Sequence, residues 1–330
     1  MRLLCYKPAV ANFGDDLNAH LWPHLAPGLF ARSECDEAFV GIGTIVGLDP
    51  GPSRRLHVFS SGAGYARLDA WAGCEVRYHC VRGPLTGQLL GLPADRVLTD
   101  GAILTPLLPA FDFASSPAGP TVVVPHFETV AFPGWTDATQ LAGFELLDPR
   151  DAPQNVIAQI ARASLVLTES LHGAILADAY GVPWQPFTVS RNFSTAKWCD
   201  WTLSLGLSVE ITLVPPPDPM PLLRFGKRVE PFGAILPLDP DAALDEFSKR
   251  IAPSPFTESG LKAATKHLLE RTPAARRLLG YSPARTASAL TALSRRDPYL
   301  SSPAIRQSLR DEMQARLDHL AREDAGVLAC

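Results

Sequence analysis

The sequence predicts an α/β protein with two sheet-bearing halves and a helical C-terminal stretch. Three observations predict it. Short apolar runs alternate with helix-periodic stretches through the first 215 residues, which is the signature of α/β units. A polar break rich in Pro and Ser, DFASSPAGP from Asp112 to Pro120, divides that alternation in two. From about Thr257 the pattern turns helical. The 330 residues are enough for more than one core, since a domain takes about 100–200. The expected organisation is a first half over 1–112, a linker over 113–120, a second half over 121–255 and a helical extension over 256–330.

In the first half, strands are expected at Leu3–Tyr6, Ala38–Ile42, Leu56–Ser60, Glu75–Val81 and Arg96–Thr99. In the second they fall at Thr121–Val124, Phe144–Leu147, Ser164–Thr168 and Trp184–Thr188. Most are rich in Val, Leu, Ile or aromatics, and several lack clean alternation, as strands buried on both faces of a parallel sheet do. Helices are expected at Asp16–Leu25, Pro84–Leu90, Pro153–Ala163 and Ser170–Tyr180. The run PPPDPMP, Pro215 to Pro221, can continue neither a helix nor a central strand. A last helix should open at Ser302-Pro303, a cap followed by proline in the first turn. Ile305, Leu309, Met313, Leu317 and Leu320 fall on one of its faces.

Composition removes several classes of function. Hydrophobic residues make up 46% of the chain, too many for a disordered protein, and its 31 prolines are scattered rather than periodic. A net charge of −4 argues against a general nucleic-acid binder. The start of the chain, broken by Lys7 and Pro8, lacks a signal peptide's apolar run, and no window approaches the length of a membrane span. Six dispersed cysteines without a CxxC pair predict reduced thiols and no zinc site. His20, His24, His57 and His79 show no metal-ligand spacing. The expected location is therefore cytoplasmic. Residues 255–330 carry 12 Lys/Arg against 8 Asp/Glu, so this stretch is basic while the remainder of the chain is acidic. Such a tail can touch the anionic inner face of the plasma membrane, or it can be a solvated helix surface.

Ligands of open α/β sheets bind past the carboxyl ends of the strands. The first strand is followed by NFGDDLN, with Asn12, Gly14, Asp15, Asp16 and Asn18. The third runs into SSGAG, with Ser61; the fourth into Arg82-Gly83-Pro84; the fifth into Asp100. In the second half, Pro125-His126 and Glu169-Ser170-Leu171-His172 occupy the same position. His172 falls in the first turn of a helix, where N–H groups and the positive dipole end suit an anion, though a histidine bonded to a neighbouring loop would look the same. Arg82 at a helix entrance can clamp a phosphate or carboxylate, or pair with a carboxylate such as Asp100. Asp15 or Asp16 suits a helix N-cap, or can accept hydrogen bonds from sugar hydroxyls. No GxGxxG, GxxxxGK[ST] or GxSxG run is present, so a dinucleotide fingerprint, a P-loop and a serine-hydrolase elbow all lack support.

Taken in order, NFGDDLN, FVGIGTI, VFSSGAG, VRGPLT, VLTDGAIL, VVVPHFE and ASLVLTESLHGAILADAYGVPW resemble the polysaccharide pyruvyl transferase family. The opening MRLLCYK…NFGDDLN…LWP is most similar to its succinoglycan ketal-pyruvyltransferase type. The resemblance covers roughly residues 1–210, including KWCDWTLSLGL. It implies two Rossmann-like domains in a GT-B-like arrangement with the site in the cleft between them. It also implies phosphoenolpyruvate as the donor and a sugar diol of a lipid-linked exopolysaccharide repeat unit as the acceptor. The product would be a cyclic pyruvate ketal, made without metal or other cofactor.

The family's donor-binding Arg and its His match Arg82 and His172, and an Arg that many relatives carry two residues before the His is Ser170 here. On this reading Arg82, His126, Ser170, Leu171 and His172 bind the donor. Asn12, Gly14, Asp15, Asp16, Asn18 and Ser61 meet the acceptor, and His172 with Asp15 or Asp16 moves protons. The rival readings are a nucleotide-sugar glycosyltransferase of the same architecture and a non-catalytic glycan-binding subunit of polysaccharide assembly.

Overall fold

A computed structural model describes residues 1–31, 36–64, 66–114, 118–251 and 279–327. Two sheets form. The first contains β1 (Arg2–Leu4), β2 (Glu37–Val40), β3 (Arg55–Ser61) and β4 (Glu75–Val81), side by side in chain order and all parallel. The second contains β5 (Thr121–Val124), β6 (Glu145–Leu146), β7 (Leu165–Thr168), β8 (Trp184–Thr188), β9 (Glu210–Leu213) and β10 (Ile235–Pro237), in the order β10-β9-β8-β7-β5-β6. Only the β10–β9 pair is antiparallel. The central strands are buried on both faces, which is why their sequences read as unbroken apolar runs.

Helices α1 (Phe13–Leu25), α2 (Pro84–Leu89), α3 (Trp135–Ala142), α4 (Pro153–Arg162), α5 (Leu171–Ala179) and α6 (Thr195–Ser204) join the strands. The short α7 (Met220–Phe225) and α8 (Pro240–Ile251) follow, and α9 (Pro283–Leu293) and α10 (Pro303–Val327) end the described chain.

Several sequence expectations need correction. α1 opens three residues early, with Asn12 at the N-cap position, so Asp15 and Asp16 sit in its first turn rather than at the N-cap. The strand expected at Arg96–Thr99 is a 3₁₀ turn, Ala94–Arg96, with a single parallel bridge from Val97 to Val81. Pro93 and Ala94-Asp95 favour that turn over extended pairing. β9, β10, α3 and α6 were not expected. α3 is bracketed by Gly134 and Gly143, whose φ of +92° and +71° mark sharp entry and exit. The proline run ends by starting a helix, because prolines at Pro219 and Pro221 suit the first turn of α7.

The C-terminal stretch is not an appendage. α10 does begin at Pro303, with the Ser302 hydroxyl capping the Ile305 N–H at 3.2 Å. Met313, Leu317 and Leu320 are buried in a cluster shared with Phe39 and Phe59 of the first sheet and Val122, Val124 and Val166 of the second. Leu309 is half-buried and Ile305 is exposed, so the apolar stripe past its first turn is spent inside the molecule. α10 carries four arginines against five carboxylates, and the expected basic excess lies outside it. Arg310 donates to the carbonyls of Ile103 (3.2 Å) and Ala179 (3.0 Å), and Arg316 to that of His79 (3.0 Å). Residues 256–278 of the expected extension lie outside the described residues. Among the described residues no helix is long and apolar enough to cross a membrane.

Candidate active site

A cavity of about 510 Å³ opens between the two sheets. Its walls come from segments just past the carboxyl ends of strands in both: Tyr6, Asn12 and Asp15 after β1, Thr44 after β2, Arg82 after β4. From the second sheet come His126 and Glu128 after β5, Glu169 to His172 after β7, and Asn192 to Lys197 after β8. This is the place where α/β sheets present their loops and helix N-termini.

His172 occupies the first turn of α5 and is 9% exposed. Gly14 makes room for it: a Cβ there would overlap the imidazole. Gly14 is therefore a packing requirement, not a ligand contact. Burial presses the His172 pKa down to about 4, opposed by Asp15 and assisted by Arg82 and Lys197. Asp15 is pushed up by its own burial, with His172, the Asn12 amide (2.8 Å) and Lys197 pulling it down. Ser170 is the N-cap of α5, its hydroxyl accepting from the Gly173 N–H at 3.3 Å. The position for which the resemblance implies an arginine holds a helix cap here. Leu171 lines the cavity beside it.

Arg82 is almost wholly buried, and its partner differs from the one the spacing suggested. Nε donates to Asp200 of α6 at 3.1 Å and Nη1 to the Thr44 hydroxyl at 2.9 Å. Nη2 is buried without a hydrogen-bond partner. Asp200 also accepts from the Thr86 N–H and hydroxyl, at 2.9 and 2.7 Å. The ion pair thus ties the first sheet's strongest cation to a helix of the second. Gly62 and Gly83 permit it, since a Cβ at either would strike the guanidinium or Asp200.

His126 also lines the cavity, but its Nδ1 lies 3.3 Å from the Glu128 N–H and 3.1 Å from the Asn192 amide, and burial lowers its pKa to about 3. It stands there as a neutral acceptor. Glu169 is a brace: its two oxygens take the N–H groups of His126 (3.1 Å) and Val189 (3.0 Å) and the Thr129 hydroxyl (2.7 Å).

Besides Gly14, three sequence-expected residues lie outside the lining. Asn18 is buried and spends its amide on Ile42, Trp22 and the Asp15 carbonyl. The Ser61 hydroxyl donates to the Gly43 carbonyl at 3.2 Å. Asp16 sits on α1 away from the cavity wall.

Lys197 is the lining residue the strand-end argument missed. It lies in the first turn of α6, whose cap, the Ser194 hydroxyl, is held by Glu246 at 2.8 Å. Its charge reaches Asp15, His126 and His172. The signal was Ser194 three residues before Lys197, an N-cap pattern hidden in a long connection after β8. Two helix N-termini, Lys197 and Arg82 therefore face the space that Asp15 and Glu128 border. The cavity offers both an anion-binding side and a carboxylate side able to accept from hydroxyls.

A family model for polysaccharide pyruvyl transferases matches residues 59–191. The succinoglycan biosynthesis protein ExoV of Rhizobium meliloti (strain 1021) is 31% identical over 323 residues, which span 94% of this chain and 96% of the relative. The chain belongs to the polysaccharide pyruvyl transferase family. The matched block holds Arg82, His126, Ser170, Leu171 and His172, while Lys197 and Asp200 lie just beyond its end. As a member of that family, the chain is a polysaccharide pyruvyltransferase, and the cavity is its candidate active site.

Proposed function

We propose that the enzyme moves the pyruvyl group of phosphoenolpyruvate onto a sugar diol of an exopolysaccharide repeat unit, forming a cyclic ketal, and that the two sheets are domains in a GT-B-like arrangement. The observation that carries this reading is the juxtaposition of Arg82, Lys197 and the N-terminus of α5 with His172 in one cavity. Phosphoenolpyruvate bears a phosphate and a carboxylate, and such a site neutralises both. The name of the relative from Rhizobium meliloti supports an exopolysaccharide acceptor.

The chemistry adds one proton to the enol methylene carbon, making it a methyl group and leaving C2 as an oxocarbenium-like centre. One sugar hydroxyl forms a bond to C2 and gives up its proton. The neighbouring hydroxyl forms the second C2–O bond as the bond from C2 to the phosphate oxygen breaks, and its proton leaves with inorganic phosphate. His172, neutral in the empty site, gains basicity beside the donor's negative charge and carries the proton from hydroxyl to methylene. Asp15 orients the acceptor hydroxyls.

The test is incubation of purified enzyme with phosphoenolpyruvate and an oligosaccharide repeat unit. Acceptor-dependent phosphate release, with mass spectrometry showing one ketal per repeat, is expected. Stabilisation by a nucleoside diphosphate alone, with no phosphate release from phosphoenolpyruvate, would replace this reading with glycosyl transfer.

A further inference from the structure

We propose that Asp100 is a positioning residue for the transfer: its Oδ2 accepts the Nε2–H of His172 and fixes the imidazole's tautomer and aim. This rests on the reading of His172 as the proton carrier. Asp100 is fully buried at the N-cap of the 3₁₀ helix Gly101–Leu107. Its Oδ1 is occupied by the Ala102 N–H at 3.0 Å. Its Oδ2 has no hydrogen-bond partner, and neither has the buried Nε2 of His172. These two orphaned atoms face each other at 3.9 Å. Leaving either polar atom buried and unpaired costs about 1–3 kcal/mol, so an approach of under an ångström that pairs them is favoured.

The surroundings are built to keep the two together although they are far apart in sequence. The 3₁₀ helix packs on α5, and Arg310 of α10 ties Ile103 of the one to Ala179 of the other. Behind Asp100, Gly101 is pressed so closely against Ser60 and Trp22 that a Cβ there would overlap both. Ser60 itself is held at φ +68°, a left-handed conformation that a non-glycine residue adopts only when its surroundings impose it. The charged groups facing His172 are Asp15, Arg82, Lys197 and Asp100; those facing Asp100 are Arg82 and Asp200. Burial raises the carboxyl to about 6 and lowers the imidazole to about 4, so near neutral pH the pair is a carboxylate beside a neutral ring. With its hydrogen on Nε2, the ring keeps Nδ1 as the basic nitrogen, on the side of Gly14. When Nδ1 takes the hydroxyl proton, Asp100 stabilises the imidazolium. A carboxylate orienting a catalytic histidine follows the logic of hydrolase triads.

Nitrogen-15 NMR of the full-length protein, with His172 assigned by its loss in His172→Gln, reads the tautomer directly. The expected wild-type form is Nε2–H; a wild-type Nδ1–H overturns the proposal. In Asp100→Asn the amide turns a donor toward Nε2, so the hydrogen should move to Nδ1, with kcat falling about 100-fold or more and the donor KM within about threefold. An unchanged tautomer and kcat, or a lower Tm alone, also overturns it. Asp100→Ser keeps a capping oxygen and supplies the kcat reading if the Asn variant does not fold. A tautomer shift in a protein that releases no phosphate from phosphoenolpyruvate would sink the functional reading while leaving the pair standing.

Discussion

Two parts of the molecule bury histidines, and only one of them faces a cavity. Between β3 and β4, His57 and His79 stack with ring planes 9° apart, Nδ1 of one 3.0 Å from Nε2 of the other, beneath the helix that carries Arg316. Across the molecule His172 stands at the cavity wall, its Nε2 aimed at a carboxylate it does not touch. Burial depresses all three to about 4. A depressed pKa therefore does not mark the working residue. What sets the proposed proton carrier His172 apart is an opening to solvent-sized space on one side and an orphaned acceptor on the other.

Substitutions sharpen that contrast, beginning with the greatest expected loss. His172→Gln should remove transfer by at least about 1,000-fold while Tm moves by only a few degrees, since the ring sits at a cavity rather than in packed core. Retained turnover with a large fall in Tm would make His172 a second structural histidine. Arg82→Met is expected to lose activity about 100-fold or more and also to destabilise by about 3–5 kcal/mol, because it leaves the buried Asp200 carboxylate without its cation and the Thr44 hydroxyl without its donor. Denaturant unfolding showing no such loss would mean the pair is energetically idle. Lys197→Met should raise the donor KM about 10- to 100-fold with little change in Tm, the size of one charge-assisted contact. An unaltered KM would assign the donor to other cations.

His79→Phe is the control, with activity expected within twofold of wild type. Its effect belongs to acid stability. A histidine at about 4 when folded and 6.5 when unfolded makes the unfolded chain the better proton binder between those values. Stability contributed at neutral pH is thus lost as pH falls from 6.5 toward 4. Removing His79 should recover about 2 kcal/mol of that loss at pH 4, measured by urea unfolding.

How far the sequence disclosed all this depends on whether the cause was local. β5, β7 and β8 announce themselves because buried parallel strands need continuous apolar side chains, and Arg82 and His172 were legible because they follow strands directly. β10 was hidden by its three residues and edge position, and β9 by the polar Glu210 and Thr212 that break its apolar run. Asp200 was hidden by distance along the chain, 118 residues from the guanidinium it holds, where spacing had favoured the nearer Asp100. Gly14 was expected to meet the acceptor, and Gly62 and Gly83 were read only as members of loops after strands. Their use is to vacate volume for side chains from remote segments, and nothing in a linear pattern reports volume.

The bonds of Arg310 have a temporal meaning. A chain still emerging from the ribosome possesses every lining side chain once residue 200 has appeared, yet the strap that cinches the 3₁₀ helix to α5 is not made until Arg310 follows. The site is thus aligned by a helix synthesised after its parts. A molecule cut before α10 would keep those parts without the brace that aligns them.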